Sequence, residues 1–374
     1  MDCKKRFLDA ITLKECESLS HGDVMIHDQL VAEMTNVSLE GDDGNALAKW
    51  MMDGMSEANF QRHLRARKFL GIDWCHLFPM EKAVEKEFTP DGHTIIKDIW
   101  GSVQIGSQES SDTVSTPIKT PEDVKNYSFP KVESFGYENI KRWIDEGSFA
   151  VVAQLDTGFF KAYQLTGFEE YMDYIYFHKS RLHELMEKFL DFQKSMVSHL
   201  AGLGVDVIWL GDDFCFNAGP FISPQFLQEF DFDYMKRLVS HIHSCGIPVI
   251  LHCCGNINYT IRQMVETGVN AIHSMQPNTG NDIYAYKKEY GKDVCLIGNV
   301  DIIELMPHGS PFEVDKKVQE MVGGLFYDRK GWVLSTTNLL SVDTPVENAI
   351  TLHLAAEKYG NWKGETDESQ RAIS

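Results

Sequence analysis

From residue 150 onward, short apolar runs alternate with longer amphipathic ones, and this rhythm limits the fold more than any other feature of the chain. The runs Ala150–Leu155, Val205–Leu210, Pro248–Cys254, Ala271–Met275, Val294–Ile297 and Trp332–Leu334 are apolar, short and rich in β-branched residues, and they read as buried strands. Helical stretches separate them: Phe168–Phe177, Arg181–Leu203, a helix capped by Ser223 and running to Cys245, one ending at Gly268, then Ile283–Tyr290, Phe312–Leu325 and a last helix from Pro345 to Tyr359. Strands without a polar face, alternating with helices, require a parallel sheet covered by those helices. Earlier strands over Val24–His27 and Ile72–Phe78 complete a set of eight, which favours an α/β fold of the closed (β/α)8 TIM-barrel type over an open sheet. No Gly-rich fingerprint follows any strand, so nothing supports a dinucleotide or P-loop site.

All 374 residues are expected to form one barrel domain, with 1–23 as an N-terminal extension and 79–149 as a hairpin and loop insertion. Within the early part, Cys3–Ser20 reads as a helix and turn, Asp28–Met34 as a helix and Ser38–Gly44 as a polar loop. Ala46–Leu70 reads as a helix stopped by Gly71, with Trp50, Met51, Phe60, Leu64 and Phe69 toward the core and Arg62, Arg65, Arg67 and Lys68 on a solvated face. The turn Thr89–His93 leads into a hairpin through Ile95, Ile96, Ile99, Trp100 and Val103, and Gly106–Pro121 has the composition of a surface loop. Thr120 and Pro121 look like the N-cap and first residue of a helix.

Charge excludes some partners. With 55 acidic against 35 basic residues the formal net charge is −20, which repels nucleic acid and anionic membranes. No apolar run approaches the roughly 20 residues of a membrane span, and Met1–Arg6 leads into a stretch holding Asp9, unlike a signal peptide. The eight scattered cysteines suit reduced thiols, so a cytoplasmic location is expected.

Sites in such barrels lie at the C-terminal strand ends. Read in order, those ends carry Asp156, Asp212 and Asp213, His252 and Cys254, His273 and Gln276, Asn299 and Asp301, and Asn338. Residues two apart on a strand share a face, so His252 and Cys254 project together and Cys253 points away. Imidazole and thiolate on one face make half of a zinc site, and a carboxylate from the neighbouring strand end, Asp213 or Asp212, is the first candidate for a third ligand. Asn338 is the second, since an amide oxygen is a poor zinc ligand. Asp156, Asp212 and Asp213 also suit helix capping, Asn299 and Asp301 a turn, and His273 a structural place. Trp209, Phe159, Phe214 and Phe216 lie near strand ends, where they either line an aromatic pocket or pack the barrel.

Several of these segments resemble the uroporphyrinogen decarboxylase-like superfamily. The resemblance rests on Gly211-Asp212-Asp213, Gly219-Pro220-Phe221-Ile222-Ser223-Pro224, His252-Cys253-Cys254-Gly255-Asn256, Gly298-Asn299-Val300-Asp301 and Asp343-Thr344-Pro345-Val346-Glu347-Asn348, with Leu70–Asp73 and Thr120–Asp123 extending it over nearly the whole chain. The His-x-Cys-Gly motif is similar to that of the corrinoid-dependent methyltransferase branch. The resemblance implies a (β/α)8 barrel, a zinc site at His252 and Cys254, a cobalamin-carrying partner protein and a small-molecule methyl donor. Decarboxylase activity is not expected, because residues 24–36 contain no arginine where the decarboxylases carry an Arg-rich substrate motif.

One departure bears on the chemistry. Coenzyme M methyltransferases of this branch supply a second zinc cysteine on the last strand, and that position falls on Asn338. An ion held by one thiolate rather than two is the stronger Lewis acid and keeps an open position. The expected activity is therefore zinc-dependent methyl transfer from an O-methyl donor, or less readily an N-methyl donor, to cobalt(I) of a corrinoid protein. Asp213, Asp156 and Asn338 are the expected catalytic residues, with Gln276, Asn299 and Phe214 at the substrate and Asp213, His252 and Cys254 at the metal. The alternatives are transfer from methylcobalamin to a thiol or pterin, and a decayed metal-binding barrel.

Overall fold

The computed structural model describes residues 2–36, 55–81, 83–89, 93–106 and 111–361. Eight parallel strands form one curled sheet: β1 (Ser20–His21), β2 (Trp74–Leu77), β3 (Ala150–Asp156), β4 (Val207–Gly211), β5 (Val249–Cys253), β6 (Ala271–Ser274), β7 (Cys295–Ile297) and β8 (Trp332–Leu334). Their order is β1-β8-β7-β6-β5-β4-β3-β2, as successive right-handed βα units produce. The two outer strands meet where Asp73 N–H, just before β2, donates to His21 O at 3.1 Å. Every residue of β2, β4, β6, β7 and β8 is buried, so the expected barrel architecture holds for the reason given by the sequence: both faces are covered.

A column of rings runs through the barrel toward the C-terminal strand ends. Phe7, on the helix Cys3–Ile11, stacks on Trp74 at 5.3 Å, Trp74 on Trp209 at 5.7 Å, and Trp209 on His252 at 5.8 Å. The helix itself is tied to the barrel through Arg6, whose Nε donates to both carboxylate oxygens of the buried Asp73.

Several local expectations need correction. The first strand is Ser20–His21, not Val24–His27: its ladder with β8 (Ser20↔Val333, His21↔Leu334) makes two polar residues a strand, while Ile26 forms only an isolated bridge to Leu340. A helix at Gly158–Thr166 follows β3 directly, unforeseen in the sequence. The helix after Pro121 starts at Asp123, whose carboxylate accepts from Thr120 N–H at 2.7 Å and Lys119 N–H at 3.0 Å and so ends the turn itself. The hairpin belongs to a four-stranded antiparallel sheet over Glu85–Phe88, Thr94–Lys97, Val103–Gly106 and Ser111–Ser115, so the expected surface loop after Gly106 contains a strand.

The basic helix face is not uniformly solvated either. Arg62 and Arg67 are buried, while Phe69, expected inside, is 57% exposed. Arg67 donates to His63 Nδ1 at 3.0 Å, and His63 Nε2–H donates in turn to Asp28 at 2.6 Å. Arg67 also lies 5.2 Å from the Trp143 ring, so partners from the helix Asp28–Thr35 and the ring hold the charge inside. The loop over Ser38–Gly44 and the contacts expected of Trp50 and Met51 lie outside the described residues.

Candidate metal centre

The centre is built where β4 and β5 end side by side. Parallel pairing sets His252 opposite Gly211 on β4 and opposite His273 on β6. Asp213, two residues past β4, accepts the Cys254 N–H at 2.9 Å and so anchors the turn after β5. Gly255 continues that turn at φ +80°, where a side chain would meet Phe216 O at 2.6 Å, so only glycine fits. Gln276 secures the same turn by accepting the Gly255 N–H at 2.6 Å.

These constraints bring three ligand atoms together. Cys254 Sγ lies 3.3 Å from His252 Nε2, and His252 Nε2 lies 3.5 Å from Asp213 Oδ1. All three ligand atoms fall within 4.8 Å of one another, the one such group of three His, Cys, Asp or Glu side chains among the described residues. Standard zinc bond lengths and tetrahedral angles place S and N ligands about 3.6 Å apart and N and O ligands about 3.4 Å apart. The residues present therefore fit zinc. Without it, burial and the Asp213 charge hold the Cys254 thiol well above its ordinary pKa, while burial lowers that of His252.

Hydrogen-bond bookkeeping fixes which nitrogen of His252 is available. His273 Nε2 lies 2.9 Å from Thr336 O, and a carbonyl can only accept, so Nε2 carries the proton. Burial and the neighbouring His252 hold His273 neutral, its pKa well below the ordinary value, so its Nδ1 is bare. His252 Nδ1, 2.7 Å away, must then be the donor, which leaves the His252 Nε2 lone pair facing Cys254 and Asp213. Thr336 is fixed in turn by the buried Asp23, which accepts from its N–H at 3.0 Å and its hydroxyl at 2.7 Å. His273 was read from the sequence as structural; its place in this relay depends on strand register, which the sequence does not display.

The other sequence-derived residues divide between the site and its supports. A cavity of about 170 Å3 over the strand ends is lined by Asp156, Trp209, Asp212, Asp213, His252 and Asn338 among others. Asn338 Nδ2 lies 3.5 Å from Cys254 Sγ. Asp156 pairs with Lys161 at 2.7 Å. Gln276 supports the β5 turn, and Asn299 donates to Met275 O at 2.6 Å. Phe214 is fully buried against Phe232, Phe216 is 45% exposed and stacks on Phe221, and neither lines the cavity.

Asp212 does cap a helix, but not the one that follows it. Its Oδ1 accepts Phe160 N–H at 3.1 Å, and Asp231, on a π-helical segment Gln228–Phe232, accepts Phe159 N–H at 3.2 Å. Burial raises both carboxyl pKa values, Asp231 to about 6 and Asp212 well above the usual range, where the Asp231 charge adds to the effect. The charged form of this pair is thus disfavoured behind the centre. Among the ionisable groups of the site, sequence reasoning overlooked Lys161 and Asp231, neither of which stands at a strand end.

The model of the uroporphyrinogen decarboxylase (URO-D) family matches residues 91–359, nearly three quarters of the chain. The chain belongs to this family. As a URO-D family protein it is 24% identical over 205 residues to a methylated-thiol–coenzyme M methyltransferase of Methanosarcina mazei, covering 54% of this chain and 52% of that one. It is 26% identical over 165 residues to the methylcobamide:CoM methyltransferase MtbA of Methanosarcina acetivorans, covering 42% and 46%. The chain thus spans about half the length of the relatives it matches. A solved structure described as a methyltransferase from Methanosarcina mazei superposes with a TM-score of 0.73 at 16% identity, covering 96% of this URO-D family chain and 99% of that one. That likeness shows the barrel fold. No helix among the described residues is long and apolar enough to cross a membrane.

Proposed function

We propose that this protein is a zinc-dependent substrate:corrinoid protein methyltransferase, which moves a methyl group from an O-methyl donor to cobalt(I) of a corrinoid carried by a partner protein. N-methyl donors are a poorer fit. The observation that carries this reading is the position of Asn338. Its amide nitrogen lies 3.5 Å from Cys254 Sγ, so a hydrogen-bond donor stands beside the thiolate where a second thiolate is expected in thiol-methylating relatives.

The chain's own groups would act as follows. Asp213, His252 and Cys254 hold the metal, and the His273 relay keeps the His252 Nε2 lone pair turned toward it. Zinc bound there supplies Lewis acidity at the donor oxygen. The Asn338 amide draws charge from the Cys254 sulfur, which preserves that acidity. The corrinoid of the partner protein would supply cobalt(I) as the nucleophile that takes the methyl group, the electron pair of the C–O bond staying on the donor oxygen. Trp209, stacked on His252, and Phe160 wall the cavity against water.

A second reading, transfer from a methylated corrinoid to a thiol, is favoured by the names of the relatives. One experiment separates the two. Cobalt(I) corrinoid protein mixed with the zinc-loaded chain and a panel of methyl ethers is expected to show the spectrum of the methylated form. Loss of methyl from methylcobalamin to a thiol, with cobalt(I) unchanged by every ether, would reverse the direction. Absence of both reactions, with no zinc retained, would leave a non-catalytic barrel.

A further inference from the structure

A second, smaller cavity of about 60 Å3 opens beside the metal cavity and shares Phe78, Gln154 and Asp156 with it. Its walls are aromatic, from Trp100, Phe135, Phe189 and Phe192, yet it holds the buried Lys161. Lys161 Nζ lies 2.7 Å from Asp156 Oδ2 and 4.1 Å from the centre of the Trp100 ring. An ammonium carries three donors, and Asp156 is the one hydrogen-bonding acceptor found for it among the described residues. The buried Trp100 Nε1–H faces the Glu81 carboxyl, which also lines the cavity. Burial opposes the Lys161 charge, but Asp156 and Glu81 outweigh it and raise the pKa. Burial raises the Glu81 pKa as well, against the pull of Lys161.

Size and charge then restrict what can occupy the two cavities. The metal cavity, at about 170 Å3, is close to the roughly 150 Å3 that accommodates a benzene ring. The side cavity has well under half that room and takes only a small substituent. A cationic group would meet Lys161, which already occupies the Trp100 ring face. A carboxylate would meet Asp156 and Glu81. A hydroxyl satisfies both signs, accepting from Lys161 while donating to a carboxylate.

We propose that the Lys161 cavity is the subsite for a hydroxyl group of the methyl donor, and that the donor is a neutral, ring-sized methyl ether bearing that hydroxyl. The proposal rests on the methyltransferase reading for its chemistry, so the test reads binding apart from turnover. Titration calorimetry on the zinc-loaded protein would compare the three methoxyphenol isomers with methoxybenzene, a methoxybenzoate and a methoxyphenyl-trimethylammonium salt. At least one methoxyphenol should bind about tenfold or more tighter than methoxybenzene, the scale of a hydrogen bond to a charged group, and tighter than either charged ether. Lys161→Met should bring that ratio close to one.

Equal binding of methoxyphenols and methoxybenzene, tighter binding of either charged ether, or a ratio unchanged in Lys161→Met would each overturn the subsite. The ligand series on the unaltered protein decides the matter even if Lys161→Met fails to fold. A Lys161-dependent preference without cobalt methylation would uphold the subsite and refute the transfer reading. Methylation from ethers with no hydroxyl preference would do the reverse.

Discussion

Replacing His273 by phenylalanine tests the relay that presents His252 to the metal. The substitution keeps a buried ring but removes the acceptor 2.7 Å from His252 Nδ1 and the donor 2.9 Å from Thr336 O. A buried N–H left without a partner costs about 1–3 kcal/mol. His252 can avoid that cost by shifting its proton to Nε2, but this blocks the nitrogen that faces Cys254 and Asp213. Either way the penalty falls on the metal-bound state. At 1.4 kcal/mol per tenfold, zinc affinity should fall roughly 10- to 100-fold, the range found when a metal-ligating histidine loses its hydrogen-bond partner. Competition against a chromophoric chelator at fixed pH measures this directly, and far-UV circular dichroism checks that the barrel persists. His273→Gln, which can offer an amide oxygen, should recover part of the loss. A folded His273→Phe protein with wild-type zinc affinity would refute the tautomer argument.

Other outcomes follow from the same geometry. The Cys254 thiol, held above its ordinary pKa, must lose a proton to bind metal, whereas His252, held below its own, is already neutral near pH 7. Zinc affinity should therefore rise about tenfold per pH unit between roughly pH 7 and 9, and a flat profile would exclude thiolate ligation. Asn338→Cys should tighten zinc binding and slow transfer from ethers, read by chelator competition and by the rate of cobalt methylation; faster ether turnover would contradict the Lewis-acid role. Asp28→Ala removes the acceptor of both His63 and Asn59 in the buried cluster around Arg67. It should cost about 3 kcal/mol in urea denaturation, and a loss below about 1 kcal/mol would show that the cluster is solvated.

The alternation of apolar strands and amphipathic helices called for a parallel sheet, because a strand with no polar face needs both faces covered, and the count of eight strands pointed to the barrel. Helices with strong local signals, such as Phe168–Phe177 and Ile283–Tyr290, end where the sequence places them. The helix Gly158–Thr166 escaped detection because its first N–H groups are satisfied by Asp212 and Asp231, more than 50 residues away, rather than by a local cap. Arg62 and Arg67 looked solvated because their burial depends on neighbours brought in by another helix and by Trp143.

By itself the sequence determined the fold class and the strand end at which His252 and Cys254 share a face, since period-two alternation is local. The resemblance to the corrinoid-dependent methyltransferases, not the residues alone, implied that Asn338 stands where that branch carries a second cysteine. Only the tertiary structure decided that Asp213 completes the triad, that His273 sets the proton on His252, and that Lys161 stands charged in an aromatic cavity next door. Each of those depends on the register of parallel strands far apart in the chain or on burial that changes what a charged group can do.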